Sequence, residues 1–338
     1  MFSGQSSGGA GMNHVAAAPL LSVRNLVKYH ETPDGKVHAV DGISFEVAAG
    51  ETLGIVGESG CGKSTLGRTL VRLHQPDDGC IAFQGQDISR LSRRALRSVR
   101  RDIQMVFQDP YASLNPRRMV RQILTEPFDV HAAGRRSERA GMVDELLGRV
   151  GLHPDHADRY PHEFSGGQRQ RIAIARAIAL EPRLVVCDEP VSALDVSIQA
   201  QIINLLRRLQ SESHLAYVFI SHDLSVVGYL ADRIAVMYLG EIVEIAPKPA
   251  LWADPLHPYT QALFSAIPVA RPPSEVRRRR LPLAGELPSP MNPPSGCRFH
   301  TRCPYVMPKC KAEAPALSTI QRGTAGDHKV ACHLFAAH

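Results

Sequence analysis

Between Gly57 and Thr65 the chain reads G-E-S-G-C-G-K-S-T. Two glycines five positions apart, then a lysine and a hydroxyl residue, make a loop suited to holding phosphate. The glycines let backbone N–H groups turn inward on phosphate oxygens, and a helix opening at the lysine adds the positive end of its dipole. Lys63 is placed to reach the β- and γ-phosphates, and Ser64 to hold Mg²⁺. Two adjacent acids, Asp188 and Glu189, close the run R-L-V-V-C-D-E-P, and His222 closes A-Y-V-F-I-S-H-D. Beside a phosphate loop, Asp188 suits support of Mg²⁺, and Glu189 suits orienting or deprotonating the attacking water. A lone D-E pair would read as two surface acids, and a lone histidine as structural. Cys61 inside the loop reads as a small packed residue, with a redox-sensing role as the alternative.

These side chains need elements to position them. The apolar runs Thr52–Gly57, Arg183–Pro190 and Ala216–Asp223 read as buried strands, and helical periodicity follows the first. Strands alternating with helices give an α/β fold with a largely parallel sheet, which keeps ligands at its strand ends. Between the first two runs lies F-S-G-G-Q-R-Q-R-I-A-I-A-R-A-I-A-L-E-P. From Gln168 onward it has helical spacing, stopping at Pro182, and Ser165, Gly166 and Gly167 form a donor-rich turn at its start. That turn is a second anion site. One nucleotide already has its phosphate loop, so the second site serves a nucleotide bound to another subunit.

With that segment the chain resembles the ATP-binding subunits of ATP-binding-cassette (ABC) transporters, over roughly residues 20–250. Tyr29 matches the aromatic that stacks on adenine. Gly57, Glu58, Ser59, Gly60, Cys61, Gly62, Lys63, Ser64 and Thr65 match the Walker A loop. Gln108, in Q-M-V-F-Q-D-P, matches the Q-loop residue that touches Mg²⁺ and water. Ser165, Gly166, Gly167 and Gln168 match the signature, and Asp188 and Glu189 match Walker B. Ser192–Asp195 match the D-loop, with Asp195 its acid, and His222 matches the switch histidine. The resemblance implies catalysis by Glu189, His222 and Gln108, and Mg²⁺ held through Ser64, Gln108 and Asp188. It further implies a head-to-tail pair of subunits trapping two ATP molecules, with hydrolysis driving membrane-spanning partners that dock on the region between Gln108 and Ser165. That region is helical in pattern (V-R-Q-I-L-T-E-P-F-D-V, then S-E-R-A-G-M-V-D-E-L-L-G-R-V-G-L with Ser137 as an N-cap).

The stretches Q-M-V-F-Q-D-P-Y-A-S-L-N-P-R and His257–Pro268 resemble the dipeptide/oligopeptide permease group, the wording S-L-N-P-R leaning to its F-type subunit. This implies a D-type ATPase partner, two membrane permease proteins and an external peptide-binding protein. Importers of nickel chelates, glutathione and oligosaccharides share the subfamily. An alternative of another class is a soluble cassette ATPase acting on nucleic acid or ribosomes. A single Walker A, a single signature and no sustained heptads argue against repair and translation factors. The expected fold is a P-loop ABC ATPase: a parallel-sheet core, an antiparallel β part and an inserted helical subdomain at about 112–180. The expected division is a disordered leader at 1–19, the nucleotide-binding domain at 20–255 and a Cys-rich extension at 256–338.

The bulk numbers fit this reading. The chain has 338 residues, 44% hydrophobic and 21% charged, and a net charge of +6. This is ordinary for a soluble globular protein. No apolar run approaches the roughly 18 residues of a membrane span, and the opening lacks the pattern of a secretory signal. The expected location is the cytoplasmic face of the inner membrane, peripherally bound, with reduced thiols. The arginine clusters S-R-R-A-L-R-S-V-R-R and Arg277–Arg280 read as solvated or phosphate-facing surface. Neither is interleaved with the aromatics of a single-strand nucleic-acid platform, and no nucleic-acid partner is expected.

Four of the seven cysteines lie in the tail as C-x₅-C-x₆-C and then Cys332. The spacing is wider than the C-x₂₋₄-C that opens most zinc sites, and the Cys303–Pro304 pair also occurs in ferredoxin-type runs. Three readings stand: a 4Fe–4S cluster on Cys297, Cys303, Cys310 and Cys332; zinc, with His300 or His333 in place of one cysteine; or packing without metal. The family resemblance implies the cluster, as a structural cross-link of a loop-rich tail.

Overall fold

The computed structural model describes residues 18–266, 285–320 and 327–335. Most of the leader, the Arg277–Arg280 run and the last two residues of the His257–Pro268 stretch lie outside the described residues. Among the described residues, twelve strands form two sheets. The smaller is antiparallel throughout, in the order β2 (Gly35–Val47), β1 (Leu21–Thr32), β4 (Asp78–Phe83), β5 (Gln86–Asp87). The larger is mixed. Its parallel part runs β6 (Ile103–Val106), β7 (Leu184–Asp188), β8 (Ala216–Ser221), β3 (Thr52–Val56), β9 (Arg233–Tyr238). Three antiparallel strands extend it: β10 (Glu241–Pro247), β12 (Lys329–Val330) and β11 (Ser318–Thr319).

The sequence explains the sandwiching of the larger sheet. Successive residues of a strand face opposite ways, and a parallel strand covered on both faces is apolar on both. On β7, Leu184 and Val186 enter the core shared with the smaller sheet, while Val185 and Cys187 enter the core shared with the helices. On β8, Ala216, Val218 and Ile220 face the first core, and Tyr217 and Phe219 the second. The three expected strands are thus present, and each ends just before its chemistry: Gly57 follows β3, Glu189 follows β7 and His222 follows Ser221.

The segment between Gln108 and Ser165 is helical, with helices at Val120–His131 and Arg139–Arg149 and 3₁₀ turns at Pro154–Asp158 and Pro161–Glu163. Ser137 does not cap the second helix. A turn over Arg135–Glu138 precedes it: the Glu138 N–H donates to the Arg135 carbonyl, and the Glu138 carboxylate accepts from the Arg135 N–H. Helix winding starts at Arg139 with no side-chain cap. The extension does not stand apart from the core. Its strands β11 and β12 complete the edge of the larger sheet, and the buried carboxylate of Glu244 on β10 accepts from the Leu256 and His257 N–H groups.

Candidate active site

The phosphate loop is held open by glycine geometry. Gly62 has φ of +105°, and a Cβ there would lie 1.8 Å from the Ala39 carbonyl oxygen. A Cβ on Gly57 would lie 2.2 Å from the Met237 carbonyl oxygen. Only a residue without Cβ lets the backbone approach this closely. The helix Lys63–Leu70 begins directly after the loop. The Lys63 ammonium is buried and donates to the carbonyls of Gly57 at 2.8 Å and Glu58 at 2.9 Å. Cys61 is buried, and its burial raises the thiol pKa, which suits a small packed residue rather than a reactive one. Gly60 faces open space, and the Thr65 hydroxyl lies 3.3 Å from His30 Nε2.

The Ser64 hydroxyl donates to Asp188 Oδ1 at 2.8 Å, joining the loop to the end of β7. Asp188 is fully buried, and its second oxygen, Oδ2, has no hydrogen-bond partner. Burial raises this carboxyl above its ordinary range, against the opposing hydrogen bond from Ser64. A buried carboxylate with one unused oxygen beside a serine hydroxyl is the donor set that Mg²⁺ takes alongside phosphate oxygens. The residues fit the ion.

Glu189 follows with φ of 46°, a left-handed conformation that costs a non-glycine residue on the order of 1–3 kcal/mol. The strain is held by its N–H bond to the Ile220 carbonyl at 3.0 Å and by the Ser192 hydroxyl on its own carbonyl at 3.1 Å. Its Oε2 accepts from Gln108 Nε2 at 3.0 Å and lies 3.2 Å from His222 Nδ1. Three elements therefore deliver Gln108, Glu189 and His222 to one point, next to Ser64 and Asp188. A carboxylate flanked by an amide and an imidazole can hold a water and take its proton.

Ser165 caps the helix Gly166–Ile178: its hydroxyl accepts from the Gln168 N–H, and the Gln168 side chain accepts from the Ser165 N–H. This turn packs on Leu194 and on the helix that Asp195 opens (Val196–Ser213). A Cβ on Gly167 would come 2.5 Å from Ile198 Cγ2, and one on Gly166 3.3 Å from Leu194 Cδ2. The same helix ties to the segment after Gln108: the Arg169 guanidinium sits 3.8 Å over the Tyr111 ring, and Arg176 donates to the Ser113 carbonyl at 2.6 Å.

Comparison with known proteins accords with this geometry. The family model described as "ABC transporter" matches residues 40–192, and "Oligopeptide/dipeptide transporter, C-terminal region" matches residues 243–310. The oligopeptide transport ATP-binding protein AppF of Bacillus subtilis (strain 168) is 58% identical over 324 residues, covering 94% of this chain and 97% of that one. The chain belongs to the ABC transporter family, as an ATP-binding subunit of its oligopeptide/dipeptide branch. The di/tripeptide transport ATP-binding protein DppF of Pseudomonas aeruginosa (strain UCBPP-PA14) is 48% identical over 320 residues, covering 93% and 97%. Among solved structures, the dimeric ATP-binding cassette MJ0796 bound to ADP and Pi aligns with a TM-score of 0.62 at 29% identity, covering 68% of this chain and 98% of that one.

In this ABC subunit the expected adenine-side aromatic is already engaged. The Tyr29 hydroxyl donates to Asp41 Oδ1 at 2.5 Å, and the ring has His38 at 4.4 Å and the Lys36 ammonium at 4.5 Å. Burial and the Asp41 carboxylate push its pKa up to about 12. The sequence reading missed the partners that hold these loops. Glu58 is gripped by Arg302 and Tyr259, and Asp41 by Arg298, all three from the C-terminal extension. Both arginines stand in the stretch that drew notice for its cysteines, and nothing in local spacing points from there to a loop some 240 residues earlier.

The metal expectation for that stretch meets gathered thiols but no closed site among the described residues. Cys297, Cys303, Cys310 and Cys332 are free thiols drawn into one neighbourhood: the Cys297 N–H donates to the Cys310 carbonyl at 2.8 Å. Burial, reinforced by the nearby thiols, pushes Cys297 and Cys332 up to about 11. Among the described residues, however, no group of three or more His, Cys, Asp or Glu side chains is placed to hold a metal ion. Separate elements fix the backbones, with Cys310 on the short helix Pro308–Ala312 and Cys332 just past β12. Each alternative ligand has one ring nitrogen engaged, His300 Nδ1 donating to the Cys297 carbonyl and His333 Nε2 to the Glu313 carbonyl. Neither a 4Fe–4S nor a zinc ligand set is closed in this structure.

Proposed function

We propose that this chain hydrolyses ATP to power import of dipeptides or oligopeptides, closing head to tail on a second ATP-binding subunit. The observation that carries the reading is the meeting of Gln108, Glu189 and His222 beside the Ser64–Asp188 pair. Glu189 is the general base, His222 and Gln108 orient it and the water, and Lys63 turns from the loop carbonyls to the phosphates. Tyr29 lies on the adenine side. Mg²⁺, held through Ser64, Asp188 and Gln108, supplies charge neutralisation at the phosphates when bound. Ser165, Gly166, Gly167 and Gln168, with Asp195, act on the nucleotide of the second subunit. The division at 20–255 and 256–338 and the inserted subdomain at about 112–180 belong to the same proposal.

Among the described residues no helix is long and apolar enough to cross a membrane, so the spanning part falls to separate permease proteins. The names of the relatives support a peptide cargo over nickel chelates, glutathione or an oligosaccharide. The test is co-purification. Tagged chain, expressed with a second ATP-binding subunit and the permease proteins, should stay with the detergent-extracted membrane fraction. Recovery with RNA or ribosomes instead would overturn the transporter reading.

A second proposal concerns the tail: Cys297, Cys303, Cys310 and Cys332 together hold a 4Fe–4S cluster, with zinc as the competing occupant. Its support is that the fold gathers four thiols from separate elements into mutual electrostatic reach. Anaerobic purification with iron, sulfide and zinc quantification should give about four irons per chain. Stoichiometric zinc, or neither metal, would overturn the cluster.

A further inference from the structure

Glu58 in the candidate phosphate loop and Asp41 on β2 are both held by the extension. Arg302 meets the Glu58 carboxylate with two parallel bonds, 2.7 Å to Oε2 and 3.1 Å to Oε1. This fork geometry fixes direction as well as charge. The Glu58 N–H is fixed in turn by the Tyr259 hydroxyl at 2.9 Å, and the Glu58 carbonyl accepts from Lys63. One residue of the phosphate loop is therefore pinned through its side chain, its N–H and its carbonyl, the first two by the extension. On β2, Arg298 bonds the Asp41 carboxylate and also the Leu239 carbonyl and, at 2.8 Å, the Glu241 carboxylate. Asp41 then holds the Tyr29 hydroxyl. Hydrogen bonds from Tyr29 and Arg298 outweigh burial and keep the Asp41 carboxyl below its ordinary range.

The arginines have a rigid mount. Phe299, between them, is fully buried and packs at 5.3 Å edge-on to Tyr238 and 5.5 Å from Tyr259, with those two rings 4.7 Å apart. Both arginines are themselves buried. The Pro290 carbonyl also accepts from the His38 N–H on the β1–β2 hairpin.

We propose that Arg302 and Arg298 are positioning residues of the ATP site, Arg302 acting on the phosphate loop through Glu58 and Arg298 on the adenine side through Asp41 and Tyr29. The inference rests on the assignment of Gly57–Thr65 and Tyr29 to ATP. Arg302 does two things. It fixes the loop, and it neutralises an acid that would otherwise face the triphosphate. Removing Arg302 leaves the half-buried Glu58 carboxylate without its partner charge, so the loss must depend on ligand charge. A merely structural role has no such dependence.

The experiment measures dissociation constants of the full-length chain for ATP, ADP and AMP by calorimetry, with thermal unfolding of each variant alongside. Arg302→Ala should weaken ATP about tenfold, ADP less, and AMP least, with kcat of the assembled transporter changed less than KM for ATP. Adding Glu58→Gln to Arg302→Ala should restore most of the ATP affinity, because the uncompensated charge is gone. Arg298→Ala should weaken all three ligands by a similar factor, and Arg298→Lys should recover part of it. A folded Arg302→Ala chain with unchanged ATP affinity, or with equal losses for ATP and AMP, would overturn the proposal. Should Arg302→Ala fail to fold, Glu58→Gln alone must still shift ATP more than AMP, and equal shifts would overturn the proposal in the same way. A wild-type chain that binds no ATP would instead overturn the assignment of the site itself.

Discussion

Glu189→Gln should bind Mg-ATP as tightly as the wild type while hydrolysis falls by about 10²–10⁴-fold, the usual contribution of a positioned general base. The amide is the same size as the carboxylate. It can still accept from Gln108, now 3.0 Å from Oε2, and the backbone bond to the Ile220 carbonyl is untouched. The left-handed φ of 46° is unchanged as well, because the side chain beyond Cβ does not enter that cost. Only the capacity to take a proton is lost. ATP should then persist between this chain and its partner subunit, so the variant mixed with that subunit should run as a dimer in gel filtration with ATP, where the wild-type mixture dissociates. Wild-type turnover in this variant would remove Glu189 from the role of base.

Gly62→Ala should abolish nucleotide binding, with ATP affinity reduced by at least about 100-fold, or roughly 3 kcal/mol. The new Cβ would sit 1.8 Å from the Ala39 carbonyl oxygen, a backbone atom that cannot swing away, at a φ of +105°. Either the loop or the strand carrying Ala39 must shift, and both line the same flank of the site. Gly60→Ala is the internal control. It shares the positive φ, at +80°, but meets nothing within 4 Å. It should therefore lose affinity only by the smaller cost of backbone strain. Equal affinities for the two variants would show that the close approach of Ala39 does not shape the loop. Calorimetric titration with ATP decides between these outcomes.

Much of the active site was legible because its signals are local. The Walker A spacing is complete within nine residues. The parallel strands are apolar on both faces, so β3, β7 and β8 stand out as continuous runs whose ends locate Gly57, Asp188, Glu189 and His222. The signature helix was legible from its helical spacing between Gln168 and Pro182, and the structure adds the reciprocal bonds of Ser165 and Gln168 at its start. What was not legible depends on contacts distant in sequence. Arg302 reaches Glu58 across 244 positions and Arg298 reaches Asp41 across 257, and no periodicity records such a pairing. The two-residue strands β11 and β12 are too short to carry an alternation, so the joining of the extension to the main sheet was invisible too. Ser137 misled because a serine before a helical pattern usually caps it, and here the Glu138 side chain closes the preceding turn instead. For the tail cysteines the spacing left a cluster, zinc and metal-free packing open, because wide gaps do not say which thiols converge. That the fold brings the four thiols into mutual electrostatic reach depends on contacts between separate elements, which the spacing does not record.

The most direct test of the central claim is uptake of a labelled oligopeptide into proteoliposomes. These would hold this chain, its partner ATP-binding subunit and the permease proteins, with the cognate binding protein outside and Mg-ATP inside. Uptake should require internal ATP and should stop when Glu189→Gln replaces the wild-type chain. Peptide uptake that continues at the wild-type rate with Glu189→Gln in place, or without internal ATP, would contradict the account.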